Sequence, residues 1–566
     1  MSARGLLLVA VFLPLVAAGL AAVRGPRRWS GALASVAALP ALGLALAAGR
    51  SPSLEVELPW LLLGTRLGLD ATSRPFLLAT SLLWTAAGVY AASYLAEDPR
   101  RHRFHALFLA ALAGNLGLVL SLDVVSFYTA YAVMSFSTYG LVIHAGGPEA
   151  ERAARVYMGF VVFSEVLVLA GLVFAVAAAG GALDVRAVAA GLGASAWRDM
   201  ALGLLLAGFG VKAGVLGLHA WLPLAHALAP TPASAVLSGA MLKAGVLGWL
   251  RVLPPSPLPS WGAVLVGVGL AGAFAGAGVG FTQRRPKAVL AYSSVSQLGI
   301  ITVGVGLLLS GGTGAVGAVA LYAVHHALAK GALFLGVGVA QAADGRARRW
   351  LLGGLALLSL SLAGAPLTGG ALAKAALKGA GAGPAVSLAL SVAAVGSTLV
   401  LARFLWLVPR PEEGRHAHGG PRLWGPWAAL TVLAFAAVWG LAPDKAVAKV
   451  LSGNGAWAAL WPVLAGSAVA VALWRWRPRD GWWLPEVPTG DVALVLLRAG
   501  AWLRDVGRRL PLARPRVQGR VRFAKTWSLA RGPWAEAMEA RLGAWRTLGL
   551  ALLVLVGLYV VLLATG

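Results

Sequence analysis

The chain contains no cysteine, which excludes disulfides, thiolate-held metals and iron–sulfur clusters ligated by this polypeptide. Charge is scarce as well. Only 12% of the 566 residues are Asp, Glu, Lys or Arg, against about 25% in an ordinary soluble domain. Acidic residues are the scarcer sign: 21 stand against 47 basic ones, for a net charge of +26. Nucleotide-binding glycine loops, metal-ligand clusters and nucleophile–base sets are not evident either, so no catalytic residue, metal or cofactor is expected on this chain. Any redox chemistry connected with it has to sit on another subunit.

Apolar residues fill the chain instead. They make up 59% of it, and the mean hydropathy is +0.79. Apolar runs of about 20 residues, each long enough to cross a hydrocarbon core, recur from end to end. The fold class expected is therefore all-α, a polytopic membrane helix bundle with about 16 transmembrane helices. The runs lie near 5–23, 31–49, 75–95, 104–122, 124–145, 155–179, 199–218 and 230–253. The second half continues near 262–282, 287–310, 313–340, 351–378, 384–408, 424–442, 456–474 and 547–564. The first run has no basic stretch before it beyond Arg4, and Arg24, Arg27 and Arg28 follow it directly, so it reads as a spanning helix rather than a leader.

The net charge resembles a nucleic-acid signature, but its distribution argues against one. Arg100/Arg101/Arg103, Arg152/Arg155, Arg284/Arg285/Lys287, Arg346/Arg348/Arg349 and Arg410/Arg415 fall in alternate loops, as do Arg24/Arg27/Arg28. The loops between are poor in Lys and Arg, as in Pro254 to Ser260. This alternation places the basic loops in the cytoplasm of a bacterial or archaeal cell, across its inner membrane, with both termini outside. Segment 475–546 alternates Arg with Leu, Val and Trp and is interrupted by Pro511 and Pro515, which predicts amphipathic surface helices against lipid or a neighbouring subunit.

A charge at mid-bilayer costs on the order of 3 kcal/mol or more and usually marks an ion path. Lys212, Lys243, Lys330 and Glu165 all lie deep within apolar runs, His326 stands four residues before Lys330, and Lys374 follows Pro366, Gly369 and Gly370. Lysines near helix ends can instead snorkel to the headgroups. Lys378 is read that way, and Lys287, beside Arg284 and Arg285, is read as a loop charge. Desolvation disfavours the charged form of a buried lysine and a carboxylate favours it, so a line of such groups can pass protons. Histidine adds a site that titrates near neutrality. Lys212 precedes His219, Pro223, Pro230 and Pro232. Proline and glycine at these places predict interrupted helices lining a polar cavity. The interruptions fall in the seventh and twelfth segments, which fits two inverted five-helix repeats, segments four to eight and nine to thirteen.

The stretch Gly210-Val-Lys-Ala-Gly-Val-Leu-Gly-Leu-His-Ala-Trp-Leu-Pro223, with Ala229-Pro-Thr-Pro-Ala-Ser-Ala-Val-Leu-Ser-Gly239, resembles the signature of the complex I / Mrp antiporter / membrane-hydrogenase family. Lys287 to Gly299 and the stretches around His326, Lys330 and Lys374 are similar to further motifs of that family, over about residues 60 to 410. The resemblance implies broken seventh and twelfth helices and a proton-conducting axis through Lys212, Lys243, His326, Lys330 and Lys374. The surface segment and last helix are similar to the longest antiporter-like subunit of complex I, in which a lateral helix clamps neighbours. Two departures stand out. Ala132 occupies the place of the family's fifth-helix glutamate, the usual partner of the seventh-helix lysine, and Glu165 on the sixth helix is the candidate replacement. Tyr322 stands where related chains often carry a histidine.

The organisation expected is residues 1–103 for the first helices and an outward loop, 104–253 and 262–408 for the two repeats, and 409–474 for additional helices. Residues 475–546 follow as the surface segment and 547–566 as a last helix. The leading function is a proton-translocating subunit of a complex I-like or hydrogenase-like assembly. Its partners would be other membrane subunits, with a cofactor-bearing redox arm or a large soluble-faced subunit attached. The alternatives are a cation/proton antiporter subunit, a proton-supplying subunit of an inorganic-carbon uptake complex, and a non-conducting scaffold.

Overall fold

A computed structural model describes residues 2–23, 25–47, 54–408, 420–476 and 485–490. The expected segment 475–546 and the last helix at 547–566 therefore lie almost wholly outside the described residues. Within them the chain forms 21 α-helices. The first are α1 (Ala3–Ala22), α2 (Ser30–Val36), α3 (Leu39–Ala47), α4 (Ser73–Tyr94), α5 (Arg101–Leu120), α6 (Val124–Ile143) and α7 (Gly147–Ala178). Then come α8 (Val185–Leu192), α9 (Arg198–Ala213), α10 (Trp221–Leu228), α11 (Thr231–Val236), α12 (Lys243–Val252), α13 (Pro259–Thr282), α14 (Pro286–Leu309) and α15 (Ala315–Ala342). The last are α16 (Gly345–Ala363), α17 (Gly369–Gly379), α18 (Pro384–Leu407), α19 (Trp424–Leu441), α20 (Asp444–Leu451) and α21 (Gly453–Arg475).

Twelve helical stretches are long and apolar enough to cross a membrane, two of them (Arg27–Ala47 and Thr231–Val252) running through consecutive short helices, so the figure of sixteen is not reached among the described residues. Polar residues such as Ser126, Thr129, Ser135 and Thr138 dilute α6, which is 20 residues long but not among the twelve. The seventh run fails because it is cut into two short helices, and the twelfth because it is cut at 364–368 and its longer part, α16, carries Arg346, Arg348 and Arg349 in its first turns. Leu54–Leu58 and Thr65–Leu69 pair as an antiparallel hairpin, β1 and β2, which corrects the all-α expectation locally. Their alternation of Leu or Val with Glu, and of Leu with Arg or Gly, is a strand period rather than a helical one.

At the centre stand α14 and α15, buried along nearly their whole length by the surrounding helices. The outer helices keep apolar side chains on the surface, as Val162, Phe163, Val166, Leu169 and Val173 do along α7. On the face opposite the basic loops, Arg66 of the hairpin meets Glu55 at 3.0 Å, Glu57 at 3.0 Å and Asp184 at 2.6 Å. Nearby, Asp70 pairs with Arg251 at the end of α12 and with Arg186 at 3.4 Å. This knot ties the hairpin to the ends of α8 and α12.

Burial pushes the Asp70 carboxyl up, but the Arg251 charge and hydrogen bonds from Ser73 and Arg251 outweigh it and hold the group below its ordinary value. The pair therefore contributes fully at neutral pH, and its contribution fades as pH falls through the lowered value. Replacing Arg251 with Leu leaves the mostly buried Asp70 carboxylate only its Arg186 contact and its Ser73 bonds, and is expected to cost on the order of 2 kcal/mol at pH 7. Thermal melts in detergent should show the gap from wild type closing as pH falls through the acid range, because the variant's carboxyl takes up a proton before the wild type's does.

Candidate functional site

Both interruptions are built by the same local chemistry. Helix α9 ends where Gly214 enters the left-handed region at φ 68°, with Val215 N donating to Gly210 O at 3.0 Å and Gly214 N to Val211 O at 3.2 Å. Helix α16 ends in the same way: Gly364 has φ 94°, Ala365 N donates to Leu360 O at 2.9 Å and Gly364 N to Ser361 O at 3.0 Å. This paired bonding closes a helix on a glycine. The breaks thus lie at 214–220 and 364–368, and Pro366 falls inside the second. Gly369 and Gly370 begin α17, where a side chain at Gly370 would collide with the Ser361 carbonyl and His325. The other three prolines do not make the first break. Pro223 lies within α10, Pro230 caps α11 and Pro232 sits in its first turn, where proline's missing N–H costs nothing.

Lys212 occupies the last turn of α9, where the unpaired carbonyl ends favour a cation. Its side chain is buried between tyrosines, with Nζ 5.4 Å from the Tyr131 ring centroid and 5.8 Å from that of Tyr157. Tyr131 and Ser164 hydroxyls meet at 2.7 Å, and Ser164 donates to Gly208 O at 2.8 Å. Glu165, one residue further on α7, lies close enough to Lys212 to feel its charge. Its carboxylate is buried beside Ser135 and Tyr128, and neither oxygen has a hydrogen bond of normal geometry among the described residues. His219, buried in the break, accepts from Gly217 N at 3.2 Å, and its ring lies 6.2 Å from that of Tyr292.

The second cluster centres on α12 and α15. Between α11 and α12, just before Lys243, the helix widens into a π turn, Leu237–Met241, in which Leu242 N reaches back five residues to Leu237 O at 3.2 Å. Lys243 Nζ then donates to Ser238 O at 2.6 Å and meets His326 Nδ1 at 2.6 Å. One turn further along α15, Lys330 Nζ donates to Leu290 O of α14 at 2.8 Å. All three side chains are buried. The Tyr322 hydroxyl donates to Gln297 Oε1 at 2.8 Å, and Gln297 Nε2 to Ser397 Oγ at 2.9 Å.

Lys374 stands at the second break. Its ammonium donates back to Leu362 O at 3.3 Å and to Ala363 O, the exposed carbonyl end of α16. Gly364 leaves the room this needs, since a Cβ there would meet the lysine's own Cδ and Nζ at 2.9 Å. His325 points the other way from its neighbour His326, with Nε2 3.0 Å from Ser361 Oγ on α16. Lys378 is half-buried and donates to Ser391 Oγ at 2.6 Å.

Several members of these clusters escaped the sequence reading. Lys287 is not a loop charge: it is buried in the first turn of α14 and donates to Ala229 O at 2.9 Å, beneath the joint between α10 and α11. Its neighbours Arg284 and Arg285 hid this, because only the fold shows where α14 begins. His226 is fully buried and stacked on Phe334 at 4.6 Å, within the field of Lys330, Lys287 and Lys243. Neither of its ring nitrogens has a hydrogen-bond partner among the described residues.

Residues 121–400 match the family model described as NADH:quinone oxidoreductase/Mrp antiporter, TM. The chain belongs to that family. It is 32% identical to NAD(P)H-quinone oxidoreductase chain 4 2 of Thermosynechococcus vestitus, over 50% of this chain and 52% of the relative. It is likewise 32% identical to hydrogenase-4 component B of Escherichia coli, over 48% of this chain and 43% of the relative. The chain thus spans about half the length of the curated relatives it matches. The solved Mrp complex from Dietzia sp. superposes with a TM-score of 0.67 at 22% identity, covering 83% of this chain and all of the matched one. That likeness is one of fold. This antiporter-like membrane subunit keeps the family's architecture over the region that holds the three clusters.

Proposed function

We propose that this family member moves protons across the membrane as one subunit of a larger complex I-like or hydrogenase-like assembly. The observation that carries the reading is the 2.6 Å contact of Lys243 Nζ with His326 Nδ1, buried between two further lysine sites. An ammonium and an imidazole so placed can hand one proton between them, because only one of the two facing nitrogens carries it at a time. Lys212 with Glu165, and Lys374 at the second break, are the two ends of the line. Lys330 and His219 lie along it. His226 and His326, each with an imidazole nitrogen unpaired among the described residues, are suited to exchange protons with water.

The two breaks are arranged as an inverted-repeat transporter would need, one in each five-helix repeat of a bundle with sixteen spans. Basic loops on one face favour a cytoplasmic placement of that face. The partners are other membrane subunits, and the named relatives favour a redox-bearing arm over a free-standing antiporter. Co-purification from native membranes, followed by reconstitution with a pH-sensitive dye, tests this. The complex should contain cofactor-bearing subunits and should acidify one compartment when supplied with reductant. A complex that is cofactor-free and moves sodium or potassium against protons would replace this reading with an antiporter, and a complex that conducts nothing would leave a scaffold.

A further inference from the structure

Beyond Lys374 towards the face opposite the basic loops, α17, α18, α20 and α21 enclose a small cavity. Three ammonium groups border it: Lys374 and Lys378 on α17 and Lys449 on α20. No carboxylate lies among its described lining residues, half of which, lysines apart, are alanines and the rest small or apolar residues with the one hydroxyl of Ser391. Lys374 stands in the field of Lys378, and Lys378 in that of Lys449. Three like charges around one low-dielectric space repel unless something negative joins them. The nearby carbonyls of Leu362 and Ala363 are already taken by Lys374, and the Ser391 hydroxyl accepts from Lys378 while donating to Ser387 O at 2.9 Å. The uncompensated cations are thus Lys378 and Lys449, and Lys449 is exposed at the rim.

We propose that this cavity binds one small monovalent anion of halide size, held between Lys378 and Lys449 as the counter-charge of the lysine group. Its volume of about 50 Å³ exceeds the roughly 10–15 Å³ that one water needs, so a halide fits. The ligand reaches the cavity past Lys449, without crossing the apolar interior. Occupancy screens Lys374 from Lys378 and leaves the Lys374 bonds to α16 unchanged.

The purified full-length protein, melted in detergent with sodium chloride exchanged for sodium gluconate at constant ionic strength, provides the test. Chloride should raise Tm saturably by a few degrees over gluconate, and bromide should do the same. The double variant Lys378→Gln/Lys449→Gln should lose the chloride-specific rise. The single variant Lys449→Gln, at an exposed position, should weaken it at least several-fold in half-saturating concentration and guards against a folding defect in the double variant. No chloride-specific rise in the wild type, or one that survives unchanged in the variants, overturns the proposal.

Discussion

Lys243→Met is expected to abolish proton transfer through the reconstituted complex, by roughly 100-fold or more, the scale of a lost acid–base group. Lys243 touches both the carbonyl of Ser238 and Nδ1 of His326, each at 2.6 Å, and so bridges α12 to α15. Methionine keeps most of the apolar stem and removes the ammonium, so the helix should pack as before. Removing one charge from a cluster that also holds Lys330 should leave Tm unchanged or raise it, because buried charges are costly to keep. Lys243→Arg separates charge from proton release. Arginine retains the cation but cannot give up its proton, so it should be as inactive as methionine. Dye-monitored flux in proteoliposomes measures all three proteins. Wild-type flux in the methionine variant would remove Lys243 from the path, and full activity in the arginine variant would make its role purely electrostatic.

For Glu165→Gln the expected loss is roughly tenfold, the scale of a coupling between two charged sites. The glutamate and Lys212 share a buried pocket lined by Tyr131 and Tyr157, and no other carboxylate is described as acting on this lysine. Glutamine keeps the shape and removes the charge. The decisive comparison is the double variant Glu165→Gln/Ala132→Glu, which puts a carboxylate on α6 at the position where the family resemblance leads one to expect it. Recovery of flux there would show that Lys212 needs a nearby anion and tolerates either helix as its source. Unimpaired flux in the single variant would mean that Glu165 does not pair with Lys212.

Much of this arrangement is legible in the sequence, and the boundary has physical causes. Apolar length finds α1, α4, α5, α13, α14, α15 and α18, because a lipid-crossing helix must bury its backbone polar groups over a fixed thickness. Lysines in the middle of such runs stand out for the same reason. The exact site of a break is harder. Proline draws attention to 223–232, but the helix is interrupted at Gly214 by a glycine-closed end whose bonds involve the backbone alone. The hairpin hides because only five residues alternate on each strand and the segments around them are read by total apolarity. Helix α7 begins at Gly147 rather than near 155, since Arg152 and Arg155 extend its first turns instead of ending a loop. Lys287 and His226 join the central cluster by tertiary proximity alone, for which the linear pattern carries no signal.

The wide turn at Leu237–Met241 has a consequence for how this helix can change through evolution. It holds one residue more than an α-helical turn of the same rise would take. Loss of one residue from it would let the stretch close to regular α winding while the helix on either side keeps its direction, because the wide turn absorbs that surplus residue. A further residue added to the helix without such a bulge would swing everything downstream by roughly 100° about the axis. Lys243 would then face away from His326 with its chemistry intact and its neighbour gone. A one-codon deletion at these five positions is therefore survivable where a one-codon insertion is not.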